Sequence, residues 1–116
     1  MTMDQSLINK DVLEALSDAI GAESMNKFLI LFLKDCKIRT NKIIDAYEKS
    51  QFSEVELEAH TLGTSAATYG ALLLEKICRE IELAKPEKSE IFQNRIDRLN
   101  VLSKQSLDAI EDHFKT

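Results

Sequence analysis

The chemistry most accessible to this chain near neutral pH comes from its two histidines, His60 and His113. His60 lies in the segment EAHTLGTSAATYGA, residues 58–71, where small residues follow it. A neutral imidazole can serve as a nucleophile, as a general base or as a metal ligand. The residues around each histidine must decide between these uses.

A metal site is not supported by the spacing of the donor residues. His60, His113, Cys36 and Cys78 show no chelating spacing and no known metal motif. We expect the two cysteines to be buried, reduced thiols rather than a disulfide. We expect His113, near the end of the chain, to be a surface residue at a helix terminus.

The elements that position these residues are predicted to be helices, because three glycines and one proline interrupt the 116 residues only rarely. The five predicted segments are Lys10–Ile20, between an Asn9 N-cap and Gly21; about Glu23–Ser50; Ser53 to about Tyr69; about Ala71–Ala84; and a last helix that begins between Pro86 and Ser89 and runs nearly to the end. Short connections between long amphipathic helices predict an all-α fold, an antiparallel up-down four-helix bundle with a short N-terminal lid helix. We expect residues 1–116 to form one domain.

Two local features refine this prediction. Ser53 and Glu56 match a capping box at the start of the third helix, with Phe52 and Leu57 placed as its hydrophobic staple. Residues 28–33 form a continuous apolar run in the second helix, so we expect this part to be buried on more than one side.

Helical spacing places His60 away from the core. The residues at core spacing on the third helix are Val55, Ala59, Leu62, Ala66 and Tyr69. His60 falls on roughly the opposite side, and its neighbours Gly63, Thr64 and Ala67 are too small to cover the ring. Gly63 costs about 1 kcal/mol relative to alanine in an exposed helix, which suggests that something approaches the helix closely there.

These residues resemble the signature of the histidine-containing phosphotransfer (HPt) domains of phosphorelays. The matching residues are His60, Leu62, Ser65, Ala66, Gly70 and Ala71. The following LLLEKICREIE is similar to the next helix of the family, and the chain looks closest to the free-standing carriers of quorum-sensing relays. It departs from the pattern at Gly63, where the family usually has lysine, and at Thr64, where it usually has glycine.

The resemblance implies a function and a role for each site residue. His60 would accept a phosphoryl group from a receiver-domain aspartate and pass it to another, as a covalent carrier rather than an enzyme. Glu82 would orient His60, and the Thr64 hydroxyl would donate a hydrogen bond to the phosphoryl group. Gly63, Thr64 and Ala67 would form the docking surface for receiver domains of response regulators or hybrid kinases. No cofactor is expected, and Mg²⁺ is expected on the receiver only.

Without the resemblance, His60 and Glu82 would be interpreted as ordinary surface residues. The missing lysine also leaves open a second function, a non-catalytic helical adaptor that binds a receiver or kinase without phosphotransfer.

Composition excludes other classes of function. A net charge of -5 without a basic cluster argues against a nucleic-acid surface. The longest apolar run has six residues, far short of the roughly twenty that a membrane span needs, and the N-terminus has no apolar signal core. We therefore expect a cytoplasmic monomer that binds no membrane.

Overall fold

The computed structural model describes residues 7–114, which contain five α-helices and no strand. The helices are α1 (Lys10–Ile20), α2 (Ala22–Glu48), α3 (Phe52–Thr68), α4 (Leu72–Leu83) and α5 (Glu90–Phe114). The all-α class is therefore confirmed for this part of the chain. Residues 1–6, where the sequence lacks a signal core, lie outside the described residues.

The neighbours of each helix show where the core lies. Helix α2 contacts α1, α3 and α5, and α4 contacts α3 and α5, so α2 to α5 close a ring of contacts. The apolar stripes of all five helices meet inside this ring in one cluster, which includes Leu13, Phe32, Leu62, Ile77 and Ile110. This pattern agrees with the predicted bundle, while its antiparallel up-down arrangement with α1 as a lid remains a prediction.

Helix α1 has the predicted bounds because both of its ends carry clear signals. The Asn9 side chain accepts hydrogen bonds from the backbone amides of Asp11 and Val12, at 3.1 and 3.3 Å. Gly21 ends the helix at φ 88°, a conformation that glycine adopts without a steric penalty.

The predicted capping box at Ser53 is wrong, because α3 begins at Phe52, two residues before the start at Glu54 that a Ser53 N-cap requires. Gln51 occupies the N-cap position and makes no side-chain capping bond. The chain leaves α2 through a Schellman turn: Gln51 N donates to Ala46 O and Ser50 N donates to Tyr47 O. Helix α3 therefore begins directly after this turn, and Ser53 lies inside the helix. Leu57, the predicted staple residue, is 59% exposed.

Gly70 forms the equivalent turn between α3 and α4. It has φ 68°, and the amides of Gly70 and Ala71 bond to the carbonyls of Ala67 and Ala66. A Cβ on Gly70 would lie 2.7 Å from Asn9 O, and Asn9 N donates to Gly70 O. The turn after the site helix is thus joined to the start of α1.

The prediction that residues 28–33 are buried on more than one side is also wrong. Leu29 and Phe32 are buried, but Phe28 is 45%, Ile30 66% and Leu31 61% exposed. The helices that pack against α2 leave part of this run uncovered, so apolar side chains remain on the surface.

The two cysteines are free and buried, as expected. Burial raises the pKa of the Cys78 thiol to about 12, and burial also raises the pKa of the Cys36 thiol. His113 lies in the last turn of α5, but its side chain is only 15% exposed. The expected position at a helix terminus is therefore confirmed, but the ring is partly covered, because it packs against Phe114 and its Nε2 lies 3.0 Å from a Glu14 carboxylate oxygen.

Candidate functional site

His60 projects from the middle of α3 into solvent. Its side chain is 59% exposed, while Ala59 and Leu62 beside it are fully buried. The helical spacing that placed the core residues on one side and His60 on the other is therefore confirmed.

A carboxylate on the neighbouring helix holds one side of the ring. His60 Nδ1 lies 2.8 Å from Glu82 Oε2, a hydrogen-bond distance. The Glu82 side chain is 25% exposed, so the bond is partly shielded from water. Because a carboxylate only accepts, Nδ1 must carry the proton in this bond. Within residues 7–114 no hydrogen bond to Nε2 is formed, so in the neutral ring this nitrogen offers its lone pair to solvent.

Thr64, one turn after His60, is also exposed, but its hydroxyl already has an acceptor. Thr64 Oγ1 donates to the backbone carbonyl of His60 at 3.1 Å. Thr61 and Thr68 make the same bond to the carbonyls four residues before them. A hydrogen bond from Thr64 to a phosphoryl group would therefore require its side chain to rotate.

The predicted patch of small exposed residues needs a correction. Gly63 is buried and Ala67 is half-buried, whereas His60 and Thr64 are exposed. What approaches Gly63 is helix α4: a Cβ there would lie 2.9 Å from Arg79 Nη1 and 3.2 Å from Cys78 Cβ. Gly63 thus serves the contact between α3 and α4 and is no part of an exposed docking surface.

Sequence reasoning missed Arg79. Its Nη1 lies 3.4 Å from Glu82 Oε1 and donates to the His60 carbonyl at 3.4 Å. The one available signal was its position three residues before Glu82, which puts both side chains on one face of α4. That spacing alone did not reveal the gap at Gly63 that the guanidinium occupies.

Two exposed leucines flank the imidazole. Leu57 is 59% and Leu83 79% exposed, and both line a shallow cleft together with His60 and Glu82. A second shallow cleft between α2 and α3 is lined by residues that include Leu31, Ile38, Ser65 and Tyr69. Apolar side chains are thus exposed on either side of His60.

Residues 7–114 contain no group of three or more His, Cys, Asp or Glu side chains that could hold a metal ion. No helix in this range is long and apolar enough to cross a membrane.

Comparison with known proteins adds two findings. The family model of the Hpt domain matches residues 27–113. The fold is similar to the crystal structure of histidine-containing phosphotransfer protein B (HptB) from Pseudomonas aeruginosa PAO1, with a TM-score of 0.85 and 16% sequence identity over 95% of this chain and 96% of that chain. A sequence comparison with curated proteins gives no match. The family match includes α3, α4 and the His60–Glu82 pair between them, and on this evidence the chain belongs to the Hpt domain family.

Proposed function

We propose that this protein is a phosphoryl carrier in a two-component phosphorelay. His60 accepts a phosphoryl group from an aspartate of one receiver domain and passes it to an aspartate of another. The observation that carries the proposal is the exposed imidazole whose Nδ1 is bound to Glu82, in a chain that belongs to the Hpt family. The protein releases no product of its own and acts as a covalent intermediate rather than as an enzyme.

The transfer follows from the arrangement of the ring nitrogens. The Nε2 lone pair attacks the phosphorus of the aspartyl phosphate, and the Nε2–P bond forms as the P–O bond to the aspartate breaks. The electron pair of that bond leaves with the aspartate carboxylate. The proton on Nδ1 stays in its hydrogen bond with Glu82, whose negative charge offsets the positive charge that develops on the ring. Transfer to the second receiver is the reverse of this step.

The receiver supplies what the carrier lacks. Phosphoryl transfer depends mainly on positioning and on neutralising charge, for which many enzymes use Mg²⁺. We propose that the Mg²⁺ ion belongs to the receiver and that the carrier needs no cofactor. A rotated Thr64 hydroxyl donates one hydrogen bond to the phosphoryl group of the modified His60. We also propose that the protein acts as a cytoplasmic monomer.

The receiver docks over the exposed face of α3. The proposed docking face includes His60, Thr64 and the half-buried Ala67 of α3. Leu57 of α3 completes it, with Leu31 and Ile38 of α2 along one edge. These apolar side chains are about half or more exposed, which is typical of the centre of a protein interface. Gly63 is not part of this face, because it is buried against α4.

Transfer of label tests the proposal directly. A receiver domain phosphorylated with ³²P is mixed with the purified protein, and the label on the carrier is followed over time. We expect label that is lost in acid and retained in base, as a phosphohistidine is, and no label on a His60→Gln variant. The His113→Gln variant is the matched control and should be labelled at the parent rate.

The same experiment separates the carrier from a non-catalytic adaptor. An adaptor would bind the receiver, as measured by titration calorimetry, but would take up no label. Binding without label in the parent protein would therefore reject phosphotransfer and leave the adaptor as the function.

A further inference from the structure

Arg79 and His60 share one carboxylate. Glu82 Oε2 lies 2.8 Å from His60 Nδ1, and Glu82 Oε1 lies 3.4 Å from Arg79 Nη1. Since the two oxygens belong to one planar group, a partner on each restricts rotation of the carboxylate. The same Nη1 donates to the His60 carbonyl, so Arg79 also contacts the helix that carries the histidine.

The position of this guanidinium depends on the absence of a side chain at residue 63. A Cβ on Gly63 would lie 2.9 Å from Arg79 Nη1 and 3.1 Å from Arg79 Cζ, closer than non-bonded atoms normally come. Glycine is a poorer helix former than alanine, so its place inside α3 calls for a packing reason. The gap that it leaves between α3 and α4 is filled by the end of the arginine side chain.

We propose that Arg79 is a positioning residue of the phosphotransfer site, which holds Glu82 against His60 Nδ1, and that Gly63 provides the space for its guanidinium. The effect of Arg79 on phosphotransfer rests on the proposed function, whereas its contacts with Glu82 and His60 do not depend on that function. Arg79 also balances the negative charge of Glu82, which lies close to the position that a doubly charged phosphoryl group takes on Nε2. The positive charge of the site is thus supplied by Arg79 on α4. In the motif that the sequence resembles, a lysine on α3 supplies it, at the position of Gly63.

Nitrogen NMR of the imidazole tests the positioning role without any phosphotransfer. In protein labelled with ¹⁵N-histidine, the ring-nitrogen shifts at mildly alkaline pH give the fraction of neutral His60 that carries its proton on Nδ1. We expect this tautomer to dominate in the parent protein. Arg79→Gln should shift the population towards the Nε2–H form, because the carboxylate is then free to rotate. His113 in the same sample serves as the internal reference.

Phosphotransfer kinetics give the second measurement. We expect Arg79→Gln to slow the labelling of His60 about fivefold, the effect of losing one partly exposed charge pair. The matched control is Arg98→Gln. Arg98 also pairs with a carboxylate of α4, at 3.2 Å, but this carboxylate belongs to Glu80 and not to Glu82. Arg98→Gln should leave both the tautomer and the rate unchanged.

The role of Gly63 is tested by a double-mutant cycle. Gly63→Ala should keep the fold, since the two nearest atoms belong to the flexible end of Arg79 and Cys78 Cβ, at 3.2 Å, needs to move only slightly. The substitution should slow transfer by displacing the end of Arg79. If the two residues act together, Gly63→Ala combined with Arg79→Gln is no slower than Arg79→Gln alone. Circular dichroism melting of each variant checks that the helices remain formed.

The outcomes separate this inference from the proposed function. An unchanged His60 tautomer in Arg79→Gln would overturn the positioning role, whatever the labelling rate. Fully additive effects of the two substitutions would overturn the link to Gly63. If Arg79→Gln shifts the His60 tautomer while the parent protein takes up no label, the positioning role is supported and the carrier function is rejected.

Discussion

At the scale of single residues, Cys78 connects the site with the core. It directly precedes Arg79, and its Cβ would lie 3.2 Å from a Cβ on Gly63. Burial raises the pKa of the thiol from 9.0 to about 12, so the folded protein keeps a proton that the unfolded chain loses above pH 9. Because the folded pKa is the higher one, this contribution to stability is complete below pH 9 and is lost as the pH rises towards 12.

We therefore predict that stability falls in alkali and that Cys78 accounts for part of the fall. Between about pH 8 and pH 10, the free energy of unfolding of the parent should decrease by roughly 1 kcal/mol more than that of Cys78→Ala. Urea unfolding at both pH values measures the difference. The contributions of the other titrating groups largely cancel in this comparison, because both proteins contain them, apart from Cys36, whose charge also raises the pKa of Cys78. Equal losses in the two proteins would show that the Cys78 thiol is not protected by burial.

Residue spacing predicted the exposure of His60 but not the contacts that α4 makes with α3 around it. The exposure of His60 follows from its position on one amphipathic helix, which sequence alone defines. The assignment of Glu82 to His60 came from the family resemblance, and the structure places the two at hydrogen-bond distance. The burial of Gly63 and the contact of Arg79 depend on how closely α4 packs on α3, and helical periodicity carries no information about that distance.

At the scale of helices, the turn between α2 and α3 contains a strained residue. Ser50 has φ 57° at the position of a Schellman turn where glycine is preferred, because a Cβ is unfavourable in the left-handed region. Gly70 occupies the equivalent position after α3 at φ 68°. The two turns differ mainly in which residue adopts this conformation.

We predict that Ser50→Gly stabilises the protein by about 0.5–1 kcal/mol, since glycine removes the steric cost of the left-handed conformation. The reverse change at the other turn, Gly70→Ala, should destabilise it by more. Its new Cβ would be strained by φ and would also meet Asn9 O at 2.7 Å. Thermal and urea unfolding of both variants measure the changes. A Ser50→Gly variant that is less stable than the parent would contradict the assignment of strain to Ser50.

Helix ends were predictable where one local signal acts without competition. Asn9 and Gly21 fixed both ends of α1 because their preferences are strong and no other signal is near. At the start of α3, the Ser53 and Glu56 pattern was outweighed by backbone bonds from the preceding turn, which begin α3 at Phe52. Exposure within residues 28–33 depended on which helices pack on α2, a property of the whole fold.

At the scale of the whole molecule, the proposed docking face joins α2 and α3. Ile38 is 45% exposed and lines the cleft between these helices with Ser65 and Tyr69. Ile91, on α5, is 68% exposed but lies on a helix that contributes nothing to the proposed site. The two isoleucines therefore provide a matched pair for testing which side of the protein meets the receiver.

We predict that Ile38→Lys weakens binding to the receiver about tenfold and slows phosphotransfer at low receiver concentration, because it places a charge in an apolar contact. Ile91→Lys changes surface charge by the same amount and should leave both quantities at the parent value. Titration calorimetry measures the affinity, and labelling at saturating receiver shows whether the chemistry at His60 is intact. Equal weakening by both variants would mean that only the net charge matters. No weakening by Ile38→Lys would place the receiver away from α2, towards the exposed Leu83 beside Glu82.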